Sequence, residues 1–232
     1  MSRHIAGYIA FDLDGCLWDS DQSHFDAVNM ALAPYGERVT EEEHLTIFKG
    51  LPTRKKLAML TEMGRLSAQV HEEVEHQKRA ATLFAIEQTL QRHEVTVLLQ
   101  NLHASGWRMC CCSNSIRSTV QAVLLKMGLM DYMDFILSNE DVRSAKPAPE
   151  MYEKASRIFG IIPDSLIVVE DGEAGKRAAR SAGCRLIEVA GPQEVNLSLI
   201  RQIMAIGRSI QLTESCKSIW NQIAIPVARM TP

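Results

Sequence analysis

Residues 9–20 read IAFDLDGCLWDS, an apolar run set directly against Asp12, Asp14, Asp19 and Ser20. A buried strand that ends in two aspartates one residue apart is costly. Like charges repel, and half-buried carboxylates lose solvation. The pair is worthwhile only where positive charge meets it, so the rest of the chain should supply the partner.

Further short β-rich runs recur at 107–112 (WRMCCC), 135–137, 166–169 and 185–189, with 5–11 the first and 209–213 a weaker sixth. Four to seven apolar residues without alternation suit strands covered on both faces, as in a parallel sheet. Between them lie helical patterns at 116–127, 150–159 and 175–182, closed by Gly128, Gly160 and Gly183. Glycine is the usual left-handed residue after a helix. Alternating strands and helices predict an α/β fold: a doubly wound, Rossmann-like parallel sheet with right-handed crossovers. The stretch 20–92 breaks the alternation, with amphipathic helical patterns at 23–34, 41–48, 53–63 and 67–90 and no convincing strand. It reads as a helical insertion in a core made of 1–19 and 93–232, whose last part is expected to add a strand and helix over 209–222.

With 232 residues the chain can bury a full core and carry an insertion. A net charge of −3, with both signs interspersed, shows no basic face for a nucleic acid. Apolar stretches fall far short of the roughly 18 residues needed to span a bilayer. The opening Met-Ser-Arg-His leads into a strand pattern, so a cytoplasmic protein, monomeric or weakly dimeric, is expected. Six cysteines, three of them consecutive at 110–112, form no CxxC spacing and read as reduced, buried small hydrophobes.

In doubly wound sheets ligands bind beyond the carboxyl ends of the strands. There the sequence places Asp12 and Asp14 after the first strand and Ser113-Asn114-Ser115 after the second. Lys146-Pro147-Ala148-Pro149 follows the third strand, and Glu170-Asp171-Gly172 follows the fourth. Two or three carboxylates at one point favour a hard divalent cation, Mg²⁺ above all. A carboxylate held ionised beside it is a nucleophile toward phosphorus, and a second carboxyl can act as acid and base. A lysine and a hydroxyl suit the phosphoryl oxygens where charge accumulates.

Asp12-Leu13-Asp14-Gly15, Ser113-Asn114, Lys146-Pro147 and Glu170-Asp171-Gly172-Glu173-Ala174-Gly175 resemble, in order and spacing, the four motifs of the haloacid dehalogenase-like superfamily. The resemblance is to its β-phosphoglucomutase and phosphoglycolate phosphatase-like branch, and the helical block falls where that branch inserts its cap. It implies Asp12 as nucleophile and Mg²⁺ ligand, and Asp14 as acid/base lending its carbonyl to the metal. It further implies Ser113 and Lys146 on the phosphoryl group, Asp171 as Mg²⁺ ligand and Glu170 in support. Asn114 either contacts the substrate or caps the next helix. In the cap, His24, Lys49, Arg54 and Lys78 are candidate substrate contacts, or solvated charges. Cys16 and Gly172 depart from the pattern, which has Thr or Val and Ser there, and Cys16 is expected to be oxidation-sensitive.

The expected activity is a Mg²⁺-dependent phosphatase acting on a small phosphorylated metabolite, a sugar or sugar-acid phosphate, through an aspartyl-phosphate. A phosphosugar mutase, favoured by His24, is the alternative, and a catalytically retired binding module a weaker one.

Overall fold

A computed structural model describes residues 5–210. The chain runs β1 (Gly7–Phe11), α1 (Asp21–Leu32), α2 (Glu41–Glu43), α3 (Thr53–Glu62), α4 (His71–Glu87) and α5 (His93–Ala104). It continues through β2 (Trp107–Cys112), α6 (Arg117–Lys126), β3 (Phe135–Leu137), α7 (Glu150–Phe159), β4 (Leu166–Glu170), α8 (Glu173–Ala182) and β5 (Arg185–Glu188). Residues 199–210 form a further helix.

The strands pair in parallel in the order β3-β2-β1-β4-β5. Successive strands step outward from β1 to β3, and the chain then returns to the other side of β1. The order therefore reverses between β1 and β4, which are hydrogen-bonded neighbours with Phe11 opposite Val169. Such a switch point leaves a crevice at the strands' carboxyl ends.

Both faces of the sheet are covered, as the unbroken apolar runs predicted. Ile9, Phe11, Met109, Cys111, Ile167 and Val169 face one layer with Val95, Leu98 and Leu102 of α5. Ala10, Cys110, Cys112 and Val168 face the other, with Met151 and Tyr152 of α7 and Ala178 of α8. The consecutive cysteines thus split between two layers, and the described cysteines are free thiols. The helical block has its own small core of Val28, Leu32, Phe48, Leu57, Leu60 and Val74, with α1 packed on α4.

Several elements differ in detail from expectation. The 41–48 pattern begins as one turn capped reciprocally by Thr40 and Glu43, then widens into a π turn over His44–Phe48. The 67–90 pattern divides into a 3-10 turn, Ala68–Val70, and α4. Helix α5 occupies a segment to which the patterns above assign no element. Residues 209–210 continue a helix rather than starting a strand, because Ile203 and its neighbours pack on the sheet with helical spacing. The remainder of that expected strand and helix lies outside the described residues. Gly128, Gly160 and Gly183 end their helices at φ 68°, 72° and 79°. Among the described residues no helix is long and apolar enough to cross a membrane.

Candidate active site

Where β1 and β4 end side by side, the Asp12 amide donates to the Val169 carbonyl at 3.0 Å, and the aspartate side chain enters the crevice. Lys146, only 3% exposed, reaches it from the loop after β3. Its ammonium donates to Asp12 Oδ1 at 2.6 Å, Glu170 Oε1 at 2.7 Å and the Cys112 carbonyl at 2.8 Å. It also lies 5.0 Å from the centre of the Tyr152 ring, whose hydroxyl donates to Glu170 Oε1. One cation therefore serves two buried carboxylates. Burial and the Glu170 charge push the Asp12 carboxyl well up, and Lys146 opposes them. Burial works against the Lys146 ammonium, but Asp12 and Glu170 outweigh it and hold its pKa above the ordinary value. Gly175 makes the Glu170 position possible, since a Cβ there would stand 1.4 Å from Glu170 Oε1.

Asp14 faces a different set of groups. Its Oδ1 is 2.7 Å from His24 Nε2, and its Oδ2 accepts from Ser113 Oγ at 3.1 Å and Ser115 Oγ at 2.9 Å. Lys78 Nζ lies 3.2 Å from His24 Nδ1. An ammonium can only donate, so Nδ1 accepts and Nε2 carries the hydrogen given to Asp14. Burial alone would raise the Asp14 carboxyl; the His24 contact and the Ser115 hydrogen bond override it and hold the carboxyl well below the usual range. Burial and the Lys78 charge keep His24 below its ordinary pKa, in keeping with a neutral ring. The Trp18 ring, edge-on to His24 at 5.3 Å, fixes the imidazole, and its indole N–H donates to Thr89 at the end of α4.

The donors fit a hard cation beside Asp12. Ligand atoms of Asp12, Asp171 and Cys16 lie within 4.8 Å of one another. Burial and Glu170 push the Asp171 carboxyl up to about 6, the mark of clustered carboxylates short of positive charge. Gly15 lets the chain pass beneath them. At φ +84° it is left-handed, and a Cβ would stand 2.2 Å from Asp171 Oδ2. Cys16 is fully buried, its thiol donates to the Val169 carbonyl at 3.7 Å, and burial pushes its pKa well up. This corrects the expected oxidation sensitivity, which requires an exposed thiolate. Gly172 leaves room for a side chain, its nearest contact being Glu170 Oε2 at 3.8 Å.

Other expectations also change. Arg54 is not in the crevice: its side chain is 88% exposed and pairs with Glu75 on α4. Lys49 pairs with Asp21 at 2.6 Å and stands 4.0 Å from Asp171 Oδ2, on the carboxylate side of the crevice. Asn114 caps no helix. Its amide donates to the Gly50 and Lys146 carbonyls and its oxygen accepts from the Lys146 amide, so it ties the Lys146 loop to the loop before α3. Three residues escaped the sequence reading. Ser115 sat in the quoted loop, two residues after Ser113, but nothing distinguished it. Tyr152 carries no signal beyond its place in an apolar helix face. Lys56, partly buried on α3, is pushed down to about 8 by burial and by Lys78, and Asp14 partly opposes the shift. It is one of two adjacent lysines, and only the fold separates it from exposed Lys55.

Residues 9–189 match the family model described as haloacid dehalogenase-like hydrolase. The chain belongs to that family. A curated relative, the phosphorylated carbohydrates phosphatase of Thermotoga maritima, is 27% identical over 186 residues, 77% of this chain and 82% of its own. The fructose-1-phosphate phosphatase of Escherichia coli is 26% identical over 190 residues, 82% of this chain and 98% of its own. Among solved structures, a β-phosphoglucomutase from Clostridium difficile superposes with a TM-score of 0.73 at 20% identity, covering 90% of this chain and all of that one (100%). This haloacid dehalogenase-like hydrolase is thus an enzyme with the family's Rossmann-like core.

Proposed function

We propose that the chain is a Mg²⁺-dependent phosphatase that hydrolyses a small phosphorylated metabolite through an aspartyl-phosphate at Asp12. The observation that carries this reading is the pairing of two adjacent aspartates with opposite environments: Asp12 on the Lys146 ammonium, Asp14 on His24 and two serines. Residues 1–19 and 93–232 form the core in this reading, and 20–92 the cap.

Asp12 attacks phosphorus, the ester oxygen leaves, and Asp14 gives that oxygen a proton. Because three hydrogen bonds to Asp14 favour its ionised form, the proton reaches it by relay: the Lys78 ammonium protonates His24 Nδ1 as Nε2 gives its hydrogen to Asp14, and the relay runs back once Asp14 has taken a proton from water. Asp14, ionised again, takes a proton from water, and that water's oxygen attacks the aspartyl-phosphate to release phosphate and restore Asp12. Lys146 and Ser113 hold the phosphoryl oxygens. Asp12, Asp171 and the Asp14 carbonyl would hold Mg²⁺, which supplies charge stabilisation to the phosphoryl group when bound. Cap loop contacts from Lys49 and Gly50 to the core exclude bulk water.

A screen of phosphorylated metabolites for released phosphate tests this. Release should require Mg²⁺, stop with chelator, and fall at least about a thousandfold in Asp12→Asn. Wild-type turnover by Asp12→Asn would sink it. His24 favours a second reading, a phosphosugar mutase, since a histidine on Asp14 can move protons between sugar hydroxyls. Conversion of a phosphohexose to an isomeric phosphate, without free phosphate, would select it.

A further inference from the structure

Trp18 follows the aspartate pair and carries no group that could take part in the chemistry. Its backbone is nevertheless bonded to both neighbours of Asp14. The Trp18 amide donates to the Leu13 carbonyl, and the Gly15 amide donates to the Trp18 carbonyl, each at 2.9 Å. The side chain is 1% exposed and packs in one cluster with Leu17 and with Ile86 of α4. Its indole stands T-shaped to the His24 ring, with centres 5.3 Å apart and planes at 74°. The indole Nε1 donates to Thr89 Oγ1 at 3.2 Å. Thr89 gives its own proton to the Ala85 carbonyl at 3.2 Å, so its oxygen is left to accept the indole hydrogen. Burial alone does not give an indole N–H its partner in this chain: Trp107 Nε1 is buried and has none among the described residues.

The His24 ring needs such a support. Nε2 lies 2.7 Å from Asp14 Oδ1, and Nδ1 lies 3.2 Å from Lys78 Nζ. Hydrogen bonds to ring nitrogens lie close to the ring plane, so they hold the ring weakly against tilting about the line between them. The indole supplies the lateral contact, and Thr89 holds the indole. Two passages of chain meet at this point: residues 12–20 lead from β1 into α1, and residues 88–92 lead from α4 to α5. Arg92 ties the same two passages a second time, its Nη1 donating to the Cys16 carbonyl at 3.3 Å. We propose that Trp18, held by Thr89, is a positioning residue for the His24 relay, keeping the imidazole aligned between Lys78 and Asp14 so that Asp14 carries a proton as the ester oxygen leaves. This rests on the phosphatase reading, in which His24 passes that proton. Trp18 and Thr89 act on protonation of the leaving oxygen and not on attack by Asp12.

The test uses two esters whose leaving groups need that proton to different degrees. p-Nitrophenolate departs as the anion, whereas benzyl alcohol must be protonated as it departs. With the full-length enzyme and Mg²⁺, Thr89→Val and Trp18→Phe should each lower kcat/KM for benzyl phosphate by about tenfold or more and leave p-nitrophenyl phosphate within about twofold. Thr89→Ser, which keeps the accepting oxygen, should return benzyl phosphate to within about threefold of wild type. In a His24→Gln background Trp18→Phe should cost less than about twofold, because the relay it aligns is gone. A loss shared equally by both esters would overturn the proposal, as would a benzyl phosphate loss that persists undiminished in His24→Gln. Nuclear magnetic resonance of protein carrying isotope-labelled histidine reads the alignment without turnover. The His24 Nε2–H resonance, identified by its absence in His24→Gln, should be sharp in wild type and Thr89→Ser and broadened by exchange with water in Thr89→Val. That pattern in a protein releasing no phosphate from any ester would keep the positioning role and refute the phosphatase. Phosphate release with both the ester ratio and the resonance unchanged by Thr89→Val and Trp18→Phe would do the reverse.

Discussion

Removal of the Lys146 ammonium probes the most charged part of the crevice. Among the described residues it is the one cation bonded to both Asp12 and Glu170, at 2.6 and 2.7 Å, and all three groups are buried. Lys146→Met fills similar space without charge and leaves two carboxylates facing each other. Breaking a buried pair from one side costs about 3–5 kcal/mol. For a chain of this size each kcal/mol moves Tm by about 2–4 °C, so the deficit at pH 8 should be on the order of 10 °C. The sign with pH follows from linkage. Burial and Glu170 already raise Asp12 in the wild type, and without the opposing Lys146 charge Asp12 rises further. Groups with raised folded-state pKa values stabilise when protonated and lose that contribution as pH rises through the folded value. The deficit should therefore shrink markedly at pH 5, where the pair takes up a proton. Thermal unfolding in chelator at both pH values measures it. A Tm fall below about 2 °C at pH 8 would refute the reasoning, as would a deficit of the same size at pH 5.

Gly15→Ala should fold yet demand at least about tenfold more Mg²⁺ for half-maximal activity, because the added Cβ collides with Asp171 Oδ2. An unchanged Mg²⁺ requirement would count against the Asp171 position. Asp171, raised to about 6 by burial and Glu170, contributes stability that is complete below about pH 4 and lost as pH rises through 6. Metal-free Asp171→Asn should accordingly be more stable than wild type by roughly 1–2 kcal/mol at pH 7.5, and no more stable at pH 4, by urea unfolding. Arg54→Ala should change kcat/KM by less than about twofold and stability by under about 0.5 kcal/mol, since its pair with Glu75 is exposed.

The strands were legible because burial on both faces writes itself as unbroken apolar runs, and Trp107–Cys112 and Phe135–Leu137 match to the residue. The motif residues were legible because a strand end fixes where the next side chain goes: Asp12, Lys146 and Glu170 meet as their positions demanded. The cap was not readable at that level. Lys55 and Lys56 are identical in type, and only the rotation of α3 exposes one and partly buries the other. Arg54, one residue earlier, finds Glu75 on a helix whose docking angle no local pattern encodes. For Asn114 the sequence offered a substrate contact or a local helix cap, and neither reading could anticipate partners as far away in the chain as Gly50 and Lys146. Residues 209–210 looked strand-like from their apolar content, but they belong to the helix over 199–210 that covers the sheet.

Covalent capture at Asp12 tests the central proposal most directly. The enzyme is mixed with a turned-over phosphate ester and Mg²⁺, quenched in acid within the first turnover, digested, and the peptide spanning residues 9–20 is weighed. One phosphoryl group should appear on Asp12 and disappear in Asp12→Asn. A wild-type enzyme that releases phosphate while this peptide stays unmodified and another residue carries the phosphoryl group would contradict it.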